Sequence, residues 1–179
     1  MINEYFKSER LAYRPYRLED VQVLVERAHE ESRRRWFYFQ EPDCLTSEFW
    51  TEVVQKNMEM WSRKINILNE EAGLGIVLKD TGDLIGYVGL GKVRCDHVEI
   101  GYRIFEQHQN NGYATEAVKA AVEWGFHELK ELSAELKIIG KIEHENWPSR
   151  KVAEKAGFAF AYAEEYLSVY EIKKSGNES

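Results

Sequence analysis

Residues 109–117, which read QNNGYATEA, constrain this chain most, because they join a strand-like run to a strongly helical one. Gly112 and Ala114 keep side-chain bulk away from the backbone, so several main-chain N–H groups can point into one concavity at a helix N-terminus. Unpaired donors and the positive end of the helix dipole attract a phosphate or pyrophosphate there. The expected contacts come from Gln109, Asn110, Asn111, Gly112, Tyr113, Ala114 and Thr115. The alternative is an ordinary helix-opening turn in which the Thr115 hydroxyl caps the backbone.

Hydrophobic periodicity along the chain predicts one α+β domain. Residues 97–105 alternate, with Val98, Ile100, Tyr102 and Ile104 on one face and Glu99, Gly101 and Arg103 on the other. Other strands are expected near residues 11–17, 65–78, 84–90, 136–142, 158–163 and 166–173. Helices are expected near 18–32, 47–64, 113–129 and 147–157. These elements give a mostly antiparallel twisted sheet of about seven strands flanked by about four helices, with a domain over 1–174 and a flexible tail at 175–179.

Composition narrows the class of protein. The 179 residues are 44% hydrophobic and 13% aromatic, which is typical of a folded domain that buries a core. No apolar run approaches the ~18 residues of a membrane span, and the charged N-terminus does not indicate secretion. Cys44 and Cys95 form no C-x-x-C motif, which favours reduced thiols in a cytoplasmic protein. The net charge of −7 disfavours a nucleic-acid partner and mildly favours a cationic substrate, although it also serves simple solubility.

The remaining patterns favour neither nucleotide hydrolysis nor metal catalysis. Residues 86–93, GYVGLGKV, satisfy most of a P-loop, but Val93 replaces the Ser or Thr that holds magnesium, and a strand follows instead of a helix. These glycines are expected to mark a kinked strand lining a cleft. The five histidines lack the spacing of metal sites, and no Ser-His-Asp or catalytic-Cys signature is present, so we expect a metal-free mechanism. The histidines are His29, His97, His108, His127 and His144.

Glu99 is the candidate general base, because a carboxylate facing a cleft can take a proton from a substrate directly or through water. The alternative is a solvated Glu99, or one paired with Arg103 two residues along the same strand face. Asp96 and His97 are neighbouring candidates that can receive the proton along a water chain.

The motifs stand in a specific order: EIGY at 99–102, the turn at 109–114, Asn146, Ser149 and EKAGF at 154–158. This order resembles the GNAT superfamily of acyl-CoA-dependent N-acetyltransferases, and within it the ribosomal-protein N-terminal (alanine/serine) acetyltransferases. Residues 8–15 look like that family's opening strand, so the resemblance covers 8–173. It implies a single-domain GNAT-like fold, acetyl-CoA as the acetyl donor without a metal, a primary amine as acceptor, and a monomer or homodimer.

The resemblance also implies roles for individual residues. The strand backbone at Ile100, Tyr102 and Ile104 contacts the acyl-CoA and polarises its thioester carbonyl. Asn146 contacts the pantetheine arm, and Ser149 contacts the cofactor and donates a hydrogen bond to the departing thiolate. Either residue can instead cap a helix, since both flank Pro148.

The sequence does not determine the identity of the acceptor. It is a protein N-terminus or a small amine, such as a polyamine, an amino acid or an antibiotic. The aromatic residues 36–39 either line the acceptor pocket or pack in the core. Because no activated nucleophile is visible, direct attack in a ternary complex is expected. The alternative function, from a class other than enzymes, is a catalytically silent acyl-CoA-binding or interaction module.

Overall fold

A computed structural model describes residues 5–30, 46–63, 70–91, 93–130 and 136–174. Within these ranges the chain forms one eight-stranded sheet and four α-helices. The strands are β1 (Phe6–Lys7), β2 (Leu11–Arg14), β3 (Ala72–Leu78), β4 (Leu84–Leu90), β5 (His97–Ile104), β6 (Lys137–Glu143), β7 (Ala159–Ala163) and β8 (Leu167–Lys173). The α-helices are α1 (Val21–Ala28), α2 (Ser47–Ser62), α3 (Tyr113–Glu128) and α4 (Trp147–Lys155).

The sheet confirms the predicted α+β fold. Its strand order is β1-β2-β3-β4-β5-β6-β8-β7, and every neighbouring pair is antiparallel except β5 and β6. The eighth strand is β1, whose two residues are too few to produce a detectable alternation. Strand β2 ends at Arg14 because Pro15 cannot donate to the ladder. The residues predicted as the start of the first helix form a 3-10 turn, Leu18–Asp20, before α1.

Three sequence predictions fall on residues that lie outside the described ranges. They concern the aromatic residues 36–39, the thiol of Cys44 and the tail at 175–179. In the described part, no helix is long and apolar enough to cross a membrane.

The core holds the strands and helices that border the site in fixed positions. On one face of the sheet, α3 packs so closely that a Cβ at Gly125 would lie 2.5 Å from Leu90 Cδ1. On the other face, Leu24 of α1 and Val54 of α2 pack with Phe105 in a second buried cluster. This packing holds α3 against the sheet. The N-terminus of α3 follows the end of β5 in the chain after a short turn.

The described part of the P-loop-like segment begins in β4, and the next element is the strand β5 and not a helix, as the sequence predicts. Gly86 lies in β4, and a Cβ there would lie 2.1 Å from the carbonyl oxygen of Arg103 on β5. The glycine is therefore required by the close approach of two strands and not by a phosphate.

Candidate active site

The site begins where β5 and β6 stop pairing. These parallel strands pair at three positions only, and the last pair is Glu99 with Ile139. Beyond it lies a cleft of about 610 Å³, lined by β5, by β6, by the turn before α3 and by α4. The predicted residues that line it are Ile100, Tyr102, Ile104, Gln109, Asn110, Gly112, Tyr113, Ala114, Thr115, Asn146 and Ser149.

Strand β5 directs part of its backbone into this cleft. The N–H of Gly91 donates to the carbonyl of Glu99 (2.7 Å), and the N–H of Phe105 donates to the carbonyl of Ile85 (2.8 Å). Odd-numbered residues of β5 therefore bond to β4, and alternate residues turn their polar groups toward β6. The residues so oriented are Ile100 at the apex of the cleft, and Tyr102 and Ile104 along its wall.

The turn before α3 is tied down by its own side chains. Gln109 Nε2 donates to the carbonyl of Ile104 at 2.9 Å, which fixes the turn to the end of β5. Asn111 Nδ2 donates to the carbonyl of Gln109 at 2.9 Å, so this amide supports the turn and Asn111 does not line the cleft. Of the predicted turn contacts, Asn111 is thus the one placed away from the cleft.

Gly112 gives the turn its shape. It has a φ of +81°, a left-handed conformation that favours glycine, and it is the N-cap of α3. The first helical hydrogen bond runs from the N–H of Glu116 to the carbonyl of Gly112 (3.1 Å). The N–H groups of residues 113–115 therefore precede the helical pattern and can serve an anion in the cleft.

Glu116 braces this turn from the N-terminal segment of the chain. One carboxylate oxygen accepts from Ser8 Oγ (2.7 Å) and from the N–H of Arg10 (2.8 Å), and the other accepts from Arg10 Nε (2.8 Å). Arg10 Nη1 also donates to the carbonyl of Asn111 (2.9 Å). Burial raises the pKa of Glu116, but the hydrogen bonds from Ser8 and Arg10 outweigh it and hold the pKa below its usual value.

Tyr102 and Ser149 meet on the side of the sheet that α4 covers. The Tyr102 hydroxyl donates to the carbonyl of Ser149 at 2.9 Å and lies 2.7 Å from Ser149 Oγ. Burial raises the pKa of Tyr102 to about 12, although the hydrogen bond with Ser149 opposes that rise. The phenol therefore stays protonated at neutral pH and acts as a hydrogen-bond donor.

Asn146 is the helix cap that the sequence allowed as an alternative. Its Oδ1 accepts from the N–H of Ser149 (3.2 Å), and Pro148 follows in the first turn of α4. Asn146 also lines the cleft, so its amide group remains positioned to contact a ligand. The Ser149 hydroxyl pairs with Tyr102, and Ser149 contributes only its backbone to the cap.

Glu99 lies on the opposite sheet face from Tyr102, because three residues separate them on a strand. Its Oε1 is 3.9 Å from Lys141 Nζ, which also lies 3.4 Å from a carboxylate oxygen of Glu164. Arg103, the alternative partner of Glu99, instead pairs with the buried Glu30 at 2.8 Å. The side chain of Glu99 is 41% exposed and lies at the end of the paired segment.

The alternative bases lie further from the cleft. His97 Nδ1 is 3.1 Å from Asp96 Oδ1, and this hydrogen bond lowers the pKa of Asp96. His97 precedes Glu99 by two strand residues, or about 7 Å along β5. None of Glu99, Asp96 and His97 lines the cleft; Glu99 is the nearest of the three, because it forms the last β5–β6 pair, next to Ile100.

Two features of the site were missed from the sequence. Lys151 and Lys155 line the cleft from one side of α4 and bring positive charge to it. Their i, i+4 spacing on a short helix beside Ser149 was the available signal.

In β7, an irregularity between Phe160 and Tyr162 pairs Tyr162 with Val169, which pairs in turn with Lys141. Tyr162 therefore shares the sheet face of Lys141 and Glu99.

Comparisons with known proteins place the chain in a family. A family model described as "Acetyltransferase (GNAT) domain" matches residues 10–159. The N-acetyltransferase YnaD of Bacillus subtilis is 30% identical over 155 residues, which cover 86% of this chain and 81% of YnaD.

Solved structures share the fold. The ribosomal-protein-S5-alanine acetyltransferase of Vibrio fischeri superposes with a TM-score of 0.76 at 18% identity, over 96% of this chain and 97% of that one. The ribosomal L7/L12 acetyltransferase RimL, solved in complex with coenzyme A, superposes with a TM-score of 0.69 at 17% identity, over 93% of this chain and 95% of that one.

Proposed function

Since the chain belongs to the GNAT acetyltransferase family and is an N-acetyltransferase, we propose that it transfers the acetyl group of acetyl-CoA to a primary amine by direct attack while both substrates are bound. One observation carries this proposal. The turn before α3 and the backbone of β5 from Ile100 to Ile104 border the same cleft, which opens where the pairing of β5 and β6 ends at Glu99.

The chemistry of the cleft fits acetyl-CoA, which is consumed as a substrate. The N–H groups of residues 113–115 and the left-handed Gly112 would hold the pyrophosphate, and Lys151 and Lys155 supply positive charge for the phosphates. The backbone of β5 and the amide of Asn146 match an amide-rich pantetheine arm. RimL, which has the same fold, was solved with coenzyme A bound, and this supports the assignment.

The residues divide the reaction between the two sheet faces. A backbone N–H of β5 would polarise the thioester carbonyl. Glu99, on the face away from α4, would take the proton that an acceptor ammonium must lose before the amine attacks. The amine then approaches the thioester from the Glu99 side, and the sulfur departs toward the side that holds Ser149.

Ser149 would donate a hydrogen bond to the departing sulfur. It lines the cleft, and its hydroxyl lies 2.7 Å from that of Tyr102. Tyr102 would be a positioning residue, because a phenol that turns its proton from the Ser149 carbonyl to Ser149 Oγ would leave the serine proton directed at the cleft. The family resemblance implies that many GNAT enzymes use a tyrosine as this donor. Here the proposed donor is Ser149 on α4, and Tyr102 on β5 supports it.

A protein N-terminus is the acceptor that we test first. The order of motifs resembles the ribosomal-protein acetyltransferases, and solved structures with the same fold carry that description. The carboxylates of Glu99 and Glu164 flank the expected approach of the amine and favour a cationic acceptor. Free polyamines and amino acids are the rival acceptors.

Mass spectrometry on an acceptor panel tests the proposal. Acetyl-CoA is supplied with N-terminal peptides, polyamines and free amino acids, and both the acetylated product and the released thiol are measured. We expect thiol release over many turnovers to depend on at least one amine and to match the amount of acetylated product. Tight binding of coenzyme A with no thiol release for any amine would instead favour the silent acyl-CoA-binding module.

A further inference from the structure

We propose that Lys141 is an internal acceptor, so that the enzyme acetylates its own Lys141 Nζ when no amine substrate is present. The inference rests on the proposed use of acetyl-CoA and of Glu99 as base. It adds a modification site in a side chain that the transfer reaction does not require.

Lys141 is held where an acceptor amine is expected. It follows the last β5–β6 pair, Glu99 with Ile139, by two residues of β6 and lines the cleft. Alternation places Lys141 on the same sheet face as Ile139 and hence as Glu99. Its Nζ lies 3.9 Å from Glu99 Oε1 and 3.4 Å from Glu164 Oε1. A primary amine therefore already lies beside the candidate base, at the point where β5 and β6 stop pairing.

Lys137 provides an internal comparison on the same strand face. Its Nζ also lies between two carboxylates, at 3.2 Å from Glu171 and 3.7 Å from Asp96. The two lysine side chains are similarly exposed, 28% for Lys137 and 33% for Lys141. Lys137 lies in the paired part of β6 and does not line the cleft. Exposure and carboxylate contact are thus matched, and the position relative to the cleft differs.

The step balances without another reactant. The ammonium of Lys141 gives one proton to the carboxylate of Glu99, and the resulting amine nitrogen attacks the thioester carbonyl carbon. The N–C bond forms and the C–S bond breaks. A second proton leaves the nitrogen and ends on the sulfur, so the products are acetylated Lys141, free coenzyme A thiol and a proton that Glu99 releases to water.

The test incubates the full chain with acetyl-CoA and no added amine, and it follows acetylation of individual lysines by peptide mass spectrometry. Acetylated Lys141 resists trypsin and yields a peptide over residues 138–150 that carries one acetyl group. We expect Lys141 to be acetylated about 100-fold faster than Lys137, at a rate constant independent of protein concentration. The Glu99→Gln variant should lower the Lys141 rate to that of Lys137, which itself stays unchanged.

A second variant keeps the test decisive if Glu99→Gln is unstable. Lys141→Arg retains the positive charge between the two carboxylates, and its intact mass should lack the acetyl group that the wild-type chain gains. Equal rates at the two lysines, or an unchanged Lys141 rate in Glu99→Gln, would overturn the inference. Unmodified Lys141 in a chain that acetylates panel amines overturns the inference alone. Failure of the chain to bind acetyl-CoA overturns the inference and the proposed function together.

Discussion

The Tyr102 hydroxyl contacts both oxygens of Ser149, at 2.9 Å from the backbone carbonyl and 2.7 Å from Oγ. A phenol has a single proton, so two arrangements are possible. If Tyr102 donates to the carbonyl, the serine proton points at the phenol. If Tyr102 donates to Oγ, the serine proton is directed at the cleft, and only this arrangement supports a departing thiolate. Negative charge on sulfur should therefore favour the second arrangement.

Ser149→Ala should lower kcat while leaving the affinity for acetyl-CoA nearly intact, because the interaction strengthens only as charge develops on sulfur. A neutral donor worth ~1–3 kcal/mol corresponds to a loss of about 5- to 150-fold. The variant keeps the backbone N–H that Asn146 accepts, so the cap of α4 stays intact. Steady-state kinetics and unfolding on the same preparation check this.

Tyr102→Phe is the companion variant and should give a smaller loss in kcat. Combining the two changes should add little to Ser149→Ala, because Tyr102 acts through the serine. A normal kcat in Ser149→Ala would mean that the thiolate leaves unassisted or assisted by water.

Asn146 caps α4, and a pair of variants separates this role from its proposed contact with the pantetheine arm. Asn146→Ala removes the cap and should destabilise the protein by about 1 kcal/mol, while also raising the KM for acetyl-CoA. Asn146→Asp keeps an acceptor for the Ser149 N–H and should retain stability, but it lacks the amide donor and should still raise the KM. Unfolding and initial-rate measurements check both. A normal KM in Asn146→Asp would reduce Asn146 to a helix cap.

Glu99→Gln keeps the shape of the side chain and removes the carboxylate of the proposed base. The rate should fall by ~10²–10⁴-fold, most strongly at low pH, where little acceptor amine is deprotonated. The variant should approach the wild-type rate as pH rises, because free amine then becomes abundant. A full pH–rate profile measures this. If Glu99→Gln matches wild type throughout and Asp96→Asn does not, the base is the Asp96–His97 pair.

Glu116 should make the stability of the protein depend on pH. Its pKa is lower in the folded than in the unfolded state, so the contribution is present above the unfolded pKa and is lost as pH falls through the folded pKa. Glu116→Gln should lower the free energy of unfolding by ~1–2 kcal/mol at neutral pH. The difference from wild type should shrink below about pH 4. Glu123→Gln, exposed on the same helix, is the control and should show no such trend.

The sequence predicted the elements whose signals are local. The turn at Gly112 and the alternation of β5 require only neighbouring residues, so both were predicted with the correct positions. The contact between Tyr102 and Ser149 spans 47 residues and depends on how α4 packs on the sheet. The approach of Lys141 to Glu99 depends on the register of β5 and β6, which alternation alone does not determine.

Other parts of the site leave no local pattern in the sequence. The partners of Glu116 lie more than 100 residues away, and its type alone suggested only a favourable position near the helix dipole. The face on which Tyr162 lies depends on a strand irregularity that gives no signal in the alternation of β7. Long-range packing therefore determines which side chains complete a site whose backbone the motifs predict.

Binding of coenzyme A to Gly112→Val tests the central claim most directly, with Gly82→Val as the matched control. Gly112 has a φ of +81° and Gly82 a φ of +80°, so valine strains the two turns to a similar degree. Gly82 lies in the β3–β4 hairpin, away from the cleft, and nothing lies within 4 Å of its Cβ position. Coenzyme A should raise the melting temperature of wild type and of Gly82→Val, but not that of Gly112→Val, because the added side chain blocks the phosphate from the turn. A wild-type shift in Gly112→Val would contradict the assignment of this cleft to acyl-CoA.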